Sequence, residues 1–190
     1  MYKIDWATPD IGAAEFEIVK KSFEINWLSM GPEVKKFENN MSTFFQRKFA
    51  IALNNGTTAL DLALKVLNIK RGDEVIIPAI SYIATGSMVL NQQATPVFAD
   101  VDLEKVTILP EEVKKKITNK TKALLTMDYG GNPCDYDELQ EICDAAGIHL
   151  IVDAAQSLGG IYKSAPLGKQ GIIATMSFHS AKVMTTIEGG

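Results

Sequence analysis

The chain has 190 residues, 46% of them hydrophobic and 22% charged, with a formal net charge of -4. A chain of this length can bury one substantial core, as a single domain with at most a small appendage. The acidic balance, with a pI near 5.2, excludes an electrostatic preference for nucleic acid or an anionic membrane, so any anionic ligand must be held by local donors.

The N-terminal stretch "MYKIDWATPD" lacks the apolar centre of a secretory leader. No apolar run approaches the roughly 20 residues that span a bilayer, so a cytoplasmic protein is expected. "IGAAEFEIVKKSFEI" reads as a helix, and Pro32 suits the first turn of the next, "PEVKKFENNMSTFF". "FAIAL", Phe49 to Leu53, reads as a buried strand. In "TTALDLALKVLNI", Leu60, Ala63, Leu64 and Leu67 fall at helical spacing and give one apolar stripe to set against a sheet. The strand "VIIP", a helix from about Tyr82 to Asn91 and the strand "PVFADV" come next. A helix from Pro110 to about Ile117 leads to the strand "KALLTM". The helix "YDELQEICDAAG" ends at Gly147, a residue suited to a left-handed cap, before the strands "HLIVDAA" and "GIIATMSF". Cys134 and Cys143 make no disulfide framework and lack paired metal-ligand spacing, so reduced thiols and no metal are expected.

Strands that are apolar on both faces and separated by helices imply an α/β fold, a mainly parallel sheet covered on both sides. Ligands in such folds collect beyond the carboxyl ends of the strands. After "FAIAL", Gly56, Thr57 and Thr58 open a helix behind Asn54 and Asn55. That is either a plain N-cap or a phosphate cradle built from free backbone N–H groups and the positive end of the helix dipole. Tyr82, at the start of a helix, is either core or a ring able to stack on a flat ligand. Asp153 ends a buried strand, where a carboxylate is costly without a partner. It is either a cap or ion-pair residue, or it faces a cationic ligand group. At about 4 Å and an effective dielectric near 20 the latter attraction is roughly 4 kcal/mol. Gln156 lies one short turn further on, and "SFHSAK" brings Ser177 and Lys182. A desolvated lysine amine loses its proton readily and suits covalent chemistry with a carbonyl. Each signal alone has an ordinary structural explanation. In this order within one α/β domain they match the needs of pyridoxal phosphate: an anion site, a ring partner, a carboxylate for the pyridinium nitrogen and a lysine for the aldehyde.

With "WLSMGPEVKKFE", "ALNNGTTALDLAL", "GDEVIIPAISYIAT", "PVFADVD", "GNPCDYDEL", "LIVDAAQSLGG" and "SFHSAKVMTTIEGG", the chain resembles the DegT/StrS-type nucleotide-sugar aminotransferases of the aspartate-aminotransferase fold class. The resemblance implies a three-layer α/β/α large domain over residues 27–190, preceded by an N-terminal helical segment, residues 1–26. The family's C-terminal small domain is expected to be absent. By resemblance Lys182 would form the Schiff base, Asp153 would bind the pyridinium nitrogen and Gln156 the ring-hydroxyl side. Gly56, Thr57 and Ser177 would hold the phosphate, and Tyr82 would stack on the ring. His179 falls where the family varies and receives no role. The implied reaction moves an amino group from glutamate or glutamine to a nucleotide-linked ketosugar, in a homodimer whose sites share residues. A sugar-dehydrating branch carries histidine in place of Lys182, so Lys182 favours amino transfer. A lysine-bearing deoxygenase and a non-catalytic truncated fragment remain as alternatives.

Overall fold

The computed structural model describes residues 7–190; residues 1–6, which include most of the stretch read for a leader and the start of the N-terminal segment, lie outside the described residues. Helices α1 (Ala13–Glu24) and α2 (Pro32–Phe44) lead into the α/β region, with Pro32 in the first turn of α2 as expected. There follow α3 (Gly56–Val66), β1 (Glu74–Pro78), α4 (Ile83–Asn91), β2 (Thr95–Ala99), α5 (Pro110–Lys116) and β3 (Thr121–Met127). The chain continues through α6 (Tyr136–Ala146), β4 (His149–Asp153), β5 (Ile161–Tyr162), β6 (Ala165–Pro166) and β7 (Ile173–Thr175). Gly147 caps α6 in the left-handed conformation at φ 65°. No helix among the described residues is long and apolar enough to cross a membrane.

Five strands form one sheet in the order β2-β1-β3-β4-β7, and every pairing in it is parallel. β5 and β6 make a separate antiparallel ribbon. The pleat divides the apolar residues between two cores. Val75 and Ile77 of β1, Ala123 and Leu125 of β3 and Ile151 of β4 pack with Leu60, Ala63 and Leu64 of α3 and with Ala84 and Val89 of α4. Ile76, Leu124, Leu150 and Val152 face the other way, against Val113 of α5 and Leu139, Ile142 and Cys143 of α6. Each fully buried Leu or Ile contributes about 1.5 to 3 kcal/mol through removal from water, so strands covered on both faces must be apolar throughout. This is the three-layer arrangement expected from the sequence.

The structure departs from the sequence expectation at two strands. "FAIAL" forms no strand, and Phe49 and Ile51 are 73% and 68% exposed rather than buried. Its ladder is a single pair: Leu53 and Gly190 exchange backbone hydrogen bonds of 2.8 and 3.0 Å. An apolar groove of about 400 Å³ lies between this segment and β7, lined in part by Phe37, Phe45, Leu62 and Met176. Extended apolar chain becomes a strand only where a neighbour matches its N–H and C=O groups. "GIIATMSF" is a strand only over Ile173–Thr175, where it pairs with β4 on one side.

Candidate active site

The carboxyl ends of β3, β4 and β7 lie side by side, with Met127 opposite Asp153 and Asp153 opposite Thr175. Asp153 is the last residue of β4 and is 3% exposed. Its Oδ1 accepts the Ala155 N–H at 3.1 Å. Burial pushes its carboxyl from the ordinary 3.8 up to about 6, opposed by the Ala155 N–H and the Lys182 charge, and assisted by the nearby Asp128 carboxyl. Desolvation dominates: the fold takes this group out of water and supplies a single full hydrogen bond in return. Two buried hydroxyls, Thr85 Oγ1 on α4 and Thr175 Oγ1 on β7, have no hydrogen-bond partner among the described residues. The Thr85 hydroxyl lies near enough to Asp153 to hold its carboxyl down slightly, though short of full hydrogen-bond geometry.

Lys182 is half-buried, on the loop that leaves β7. That loop is shaped by His179, whose carbonyl accepts the Lys182 N–H at 2.9 Å and whose Nδ1 accepts the Ala181 N–H at 3.2 Å. His179 Nε2 stands 3.6 Å from Glu188 Oε1. His179 thus shapes the lysine turn, a part the sequence did not reveal. Among the described residues, Lys182 Nζ makes no hydrogen bond or ion pair closer than 4 Å. Its charge nevertheless reaches Asp153.

The start of α3 meets Ser177 at the same edge. A Cβ built on Gly56 would stand 2.9 Å from the Met176 carbonyl oxygen and 3.0 Å from Ser177 Cβ, so only glycine lets the helix approach this closely. Asn55 is the N-cap, its side chain accepting the Thr58 N–H at 2.8 Å. The two sequence readings of this turn are therefore compatible. The cap uses Thr58, while the Gly56 and Thr57 N–H groups have no acceptor among the described residues. They point out of the helix start, where the dipole favours an anion.

Tyr82 is the N-cap residue of α4 and is 60% exposed, which removes the core reading and leaves its ring open at the strand ends. Gln156 is half-buried in the turn after β4, and its Oε1 accepts the Gly130 N–H at 2.6 Å. The sequence reading passed over Asp128, Tyr136 and Ser157. Asp128 is fully buried just past β3, accepting the Tyr136 hydroxyl at 2.5 Å and the Ser157 hydroxyl at 2.9 Å. Its signal was available: "LLTMD" ends an apolar strand in aspartate just as "LIVD" does. Burial pushes both cysteine thiols up to about 12, as inert interior groups.

The donor set fits pyridoxal phosphate. Free N–H groups and a serine lie at one end, an under-satisfied buried carboxylate beneath, and an amine without a close partner nearby. The apolar groove beside "FAIAL" is lined by none of Lys182, Asp153, Tyr82 or Gln156.

The family model described as "DegT/DnrJ/EryC1/StrS aminotransferase family" matches residues 9–190. A GDP-perosamine synthase of Escherichia coli is 38% identical over 183 residues, 96% of this chain and 50% of that protein. A proposed sugar aminotransferase of Streptococcus pneumoniae, solved in its pyridoxal-phosphate form, superposes with a TM-score of 0.94 at 34% identity, over 100% of this chain and 52% of that one. An Escherichia coli GDP-4-keto-6-deoxy-D-mannose-3-dehydratase with bound hydrated pyridoxal phosphate superposes with a TM-score of 0.93 at 28% identity, over 100% of this chain and 50% of that one. The chain therefore spans about half the length of these relatives.

Proposed function

The chain belongs to the DegT/DnrJ/EryC1/StrS aminotransferase family, and from that premise we propose that it is the cofactor-binding region of a pyridoxal-phosphate-dependent enzyme that moves an amino group from glutamate or glutamine to a nucleotide-linked ketosugar. One observation carries the reading: a half-buried lysine with no close partner among the described residues lies near enough for its charge to act on a buried carboxylate that the protein itself leaves under-satisfied. The bound cofactor would supply an aldehyde for amine exchange and a ring that withdraws electrons.

Each residue then has a defined task. The Gly56 and Thr57 N–H groups and the Ser177 hydroxyl hold the phosphate. Asp153 keeps a proton on the ring nitrogen, because a cation against a buried carboxylate relieves the desolvation that raises its pKa. Gln156 donates from its amide nitrogen to the ring oxygen. The Tyr82 ring covers one face and excludes water. Lys182 would hold the cofactor's aldehyde carbon through Nζ, and its free amine would move the proton.

Exposed apolar side chains near the site, among them Ile83, Val183 and Ile187, support a second copy of the chain closing over it. Pyridoxal-phosphate-loaded protein mixed with glutamate should release 2-oxoglutarate and lose the visible absorbance of the aldehyde form. A nucleotide-linked ketosugar added next should restore that absorbance and gain an amino group by mass. Loss of a sugar hydroxyl without nitrogen gain would instead assign the chain to the dehydrating reaction.

A further inference from the structure

The loop after β3 grips the turn after β4 at two points, on either side of the bond between Gln156 and Ser157. Gly130 N–H donates to Gln156 Oε1 at 2.6 Å, and Ser157 Oγ stands 2.9 Å from Asp128 Oδ2. Asp128 Oδ1 accepts the Tyr136 hydroxyl at 2.5 Å and the Cys134 N–H at 3.3 Å, which ties the same carboxyl to the start of α6. The Asp128 N–H donates to the Asp153 carbonyl at 3.2 Å. Asp128, Ser157 and Tyr136 are all buried, and every partner of the Asp128 side chain is neutral. The loop is shaped for this approach: Gly130 and Gly131 have φ of 62° and 84°, and a Cβ on Gly131 would stand 3.3 Å from the Gln156 carbonyl oxygen.

An N–H can be matched only by an oxygen, so the Gly130 contact settles which end of the Gln156 amide is used up. The NH₂ end is left without a partner among the described residues. We infer that Asp128, Ser157 and Gly130 are positioning residues that hold the Gln156 amide with its nitrogen, not its oxygen, toward the ring oxygen of the cofactor. The inference rests on the assignment of Gln156 to that oxygen. The grip survives a change of protonation. Ser157 Oγ carries one proton and faces two acceptors, Asp128 Oδ2 at 2.9 Å and the Ala154 carbonyl at 3.2 Å. An ionised Asp128 accepts that proton. A protonated one donates to Ser157 Oγ and frees the hydroxyl for Ala154. Asparagine at this position can do the latter, so Asp128→Asn is the conservative variant that should rescue.

The test compares two non-covalent probes, pyridoxamine phosphate and its analogue with the ring hydroxyl replaced by hydrogen. A residue that merely supports the fold weakens both equally and leaves the ratio of their dissociation constants unchanged. The wild-type protein should prefer the hydroxylated probe by roughly five- to tenfold, the worth of one hydrogen bond. Gln156→Ala should bring the ratio close to one. Ser157→Ala and Asp128→Ala should each erase most of the preference, while Asp128→Asn keeps it. A wild-type ratio near one, or a ratio indifferent to Gln156→Ala, would refute the Gln156 assignment and the inference with it. A ratio lost in Gln156→Ala but retained in Ser157→Ala would overturn the positioning role alone. Because Ser157→Ala removes a single oxygen, it keeps the test informative even where Asp128→Ala fails to fold.

Discussion

Asp128 and Asp153 stand at the ends of adjacent strands, follow apolar runs, and are almost entirely buried. Their surroundings differ. Three neutral donors from the protein converge on the Asp128 side chain, whereas Asp153 receives one backbone N–H and sits among hydroxyls without partners. Burial raises the carboxyl pKa at both positions. At Asp128 the fold completes the hydrogen bonding itself, so the group acts as internal scaffolding. At Asp153 the fold leaves the deficit open, and a cationic ligand group can relieve it. A buried carboxylate therefore marks a binding site by what it lacks, not by being buried.

Turnover should separate the two positions most. Asp153→Ala should lower the amino-transfer rate by about a thousandfold, the scale of losing a preorganised electrostatic contact to the reacting group. Phosphate-anchored binding should fall far less. Equal losses in rate and affinity would contradict the ring-nitrogen assignment. Asp128→Asn should keep most of the rate.

Stability of the cofactor-free protein offers the next contrast. Asp153 binds its proton more tightly folded than unfolded, so its contribution is fully present below pH 4 and is lost as pH rises toward about 6. Asp153→Asn should therefore stabilise the cofactor-free protein by about 2 to 3 kcal/mol above pH 6 and by little at pH 4, as read by urea unfolding at both values. Asp128→Ala should destabilise by about 2 to 4 kcal/mol at pH 4, because it strands the Tyr136 and Ser157 hydroxyls, and by less above pH 6, because burial raises that carboxyl too. A stabilising Asp128→Ala would erase the distinction.

The smallest expected effect is at Tyr82. Stacking uses the ring and not the hydroxyl, so Tyr82→Phe should change turnover by less than about twofold. A large loss would give the exposed hydroxyl a task of its own.

Much of this was legible in the sequence because the physics is local. The double-faced apolar runs of β1, β3 and β4 required cover on both sides, and alternation along them assigns Ile76 and Val75 to opposite cores. Gly147 marked a left-handed cap, and Pro32 a first turn. "FAIAL" misled for the complementary reason: its letters specify extended apolar chain, but strand status depends on a partner that only Gly190 supplies here. Asp128 and Asp153 carried identical local signals, and nothing within a few residues of either could rank them.

Periodicity and turn chemistry act over short stretches, so the layered α/β architecture and the order in which glycine, tyrosine, aspartate, serine and lysine arrive at the strand ends are written into the local residue pattern. Three features appear only once the chain is folded: Gly56 lies against Ser177, Gly130 N–H donates to the Gln156 amide oxygen, and one of two like carboxylates goes under-satisfied. Those outcomes depend on hydrogen-bond partners distant in sequence, which chain folding alone brings within reach.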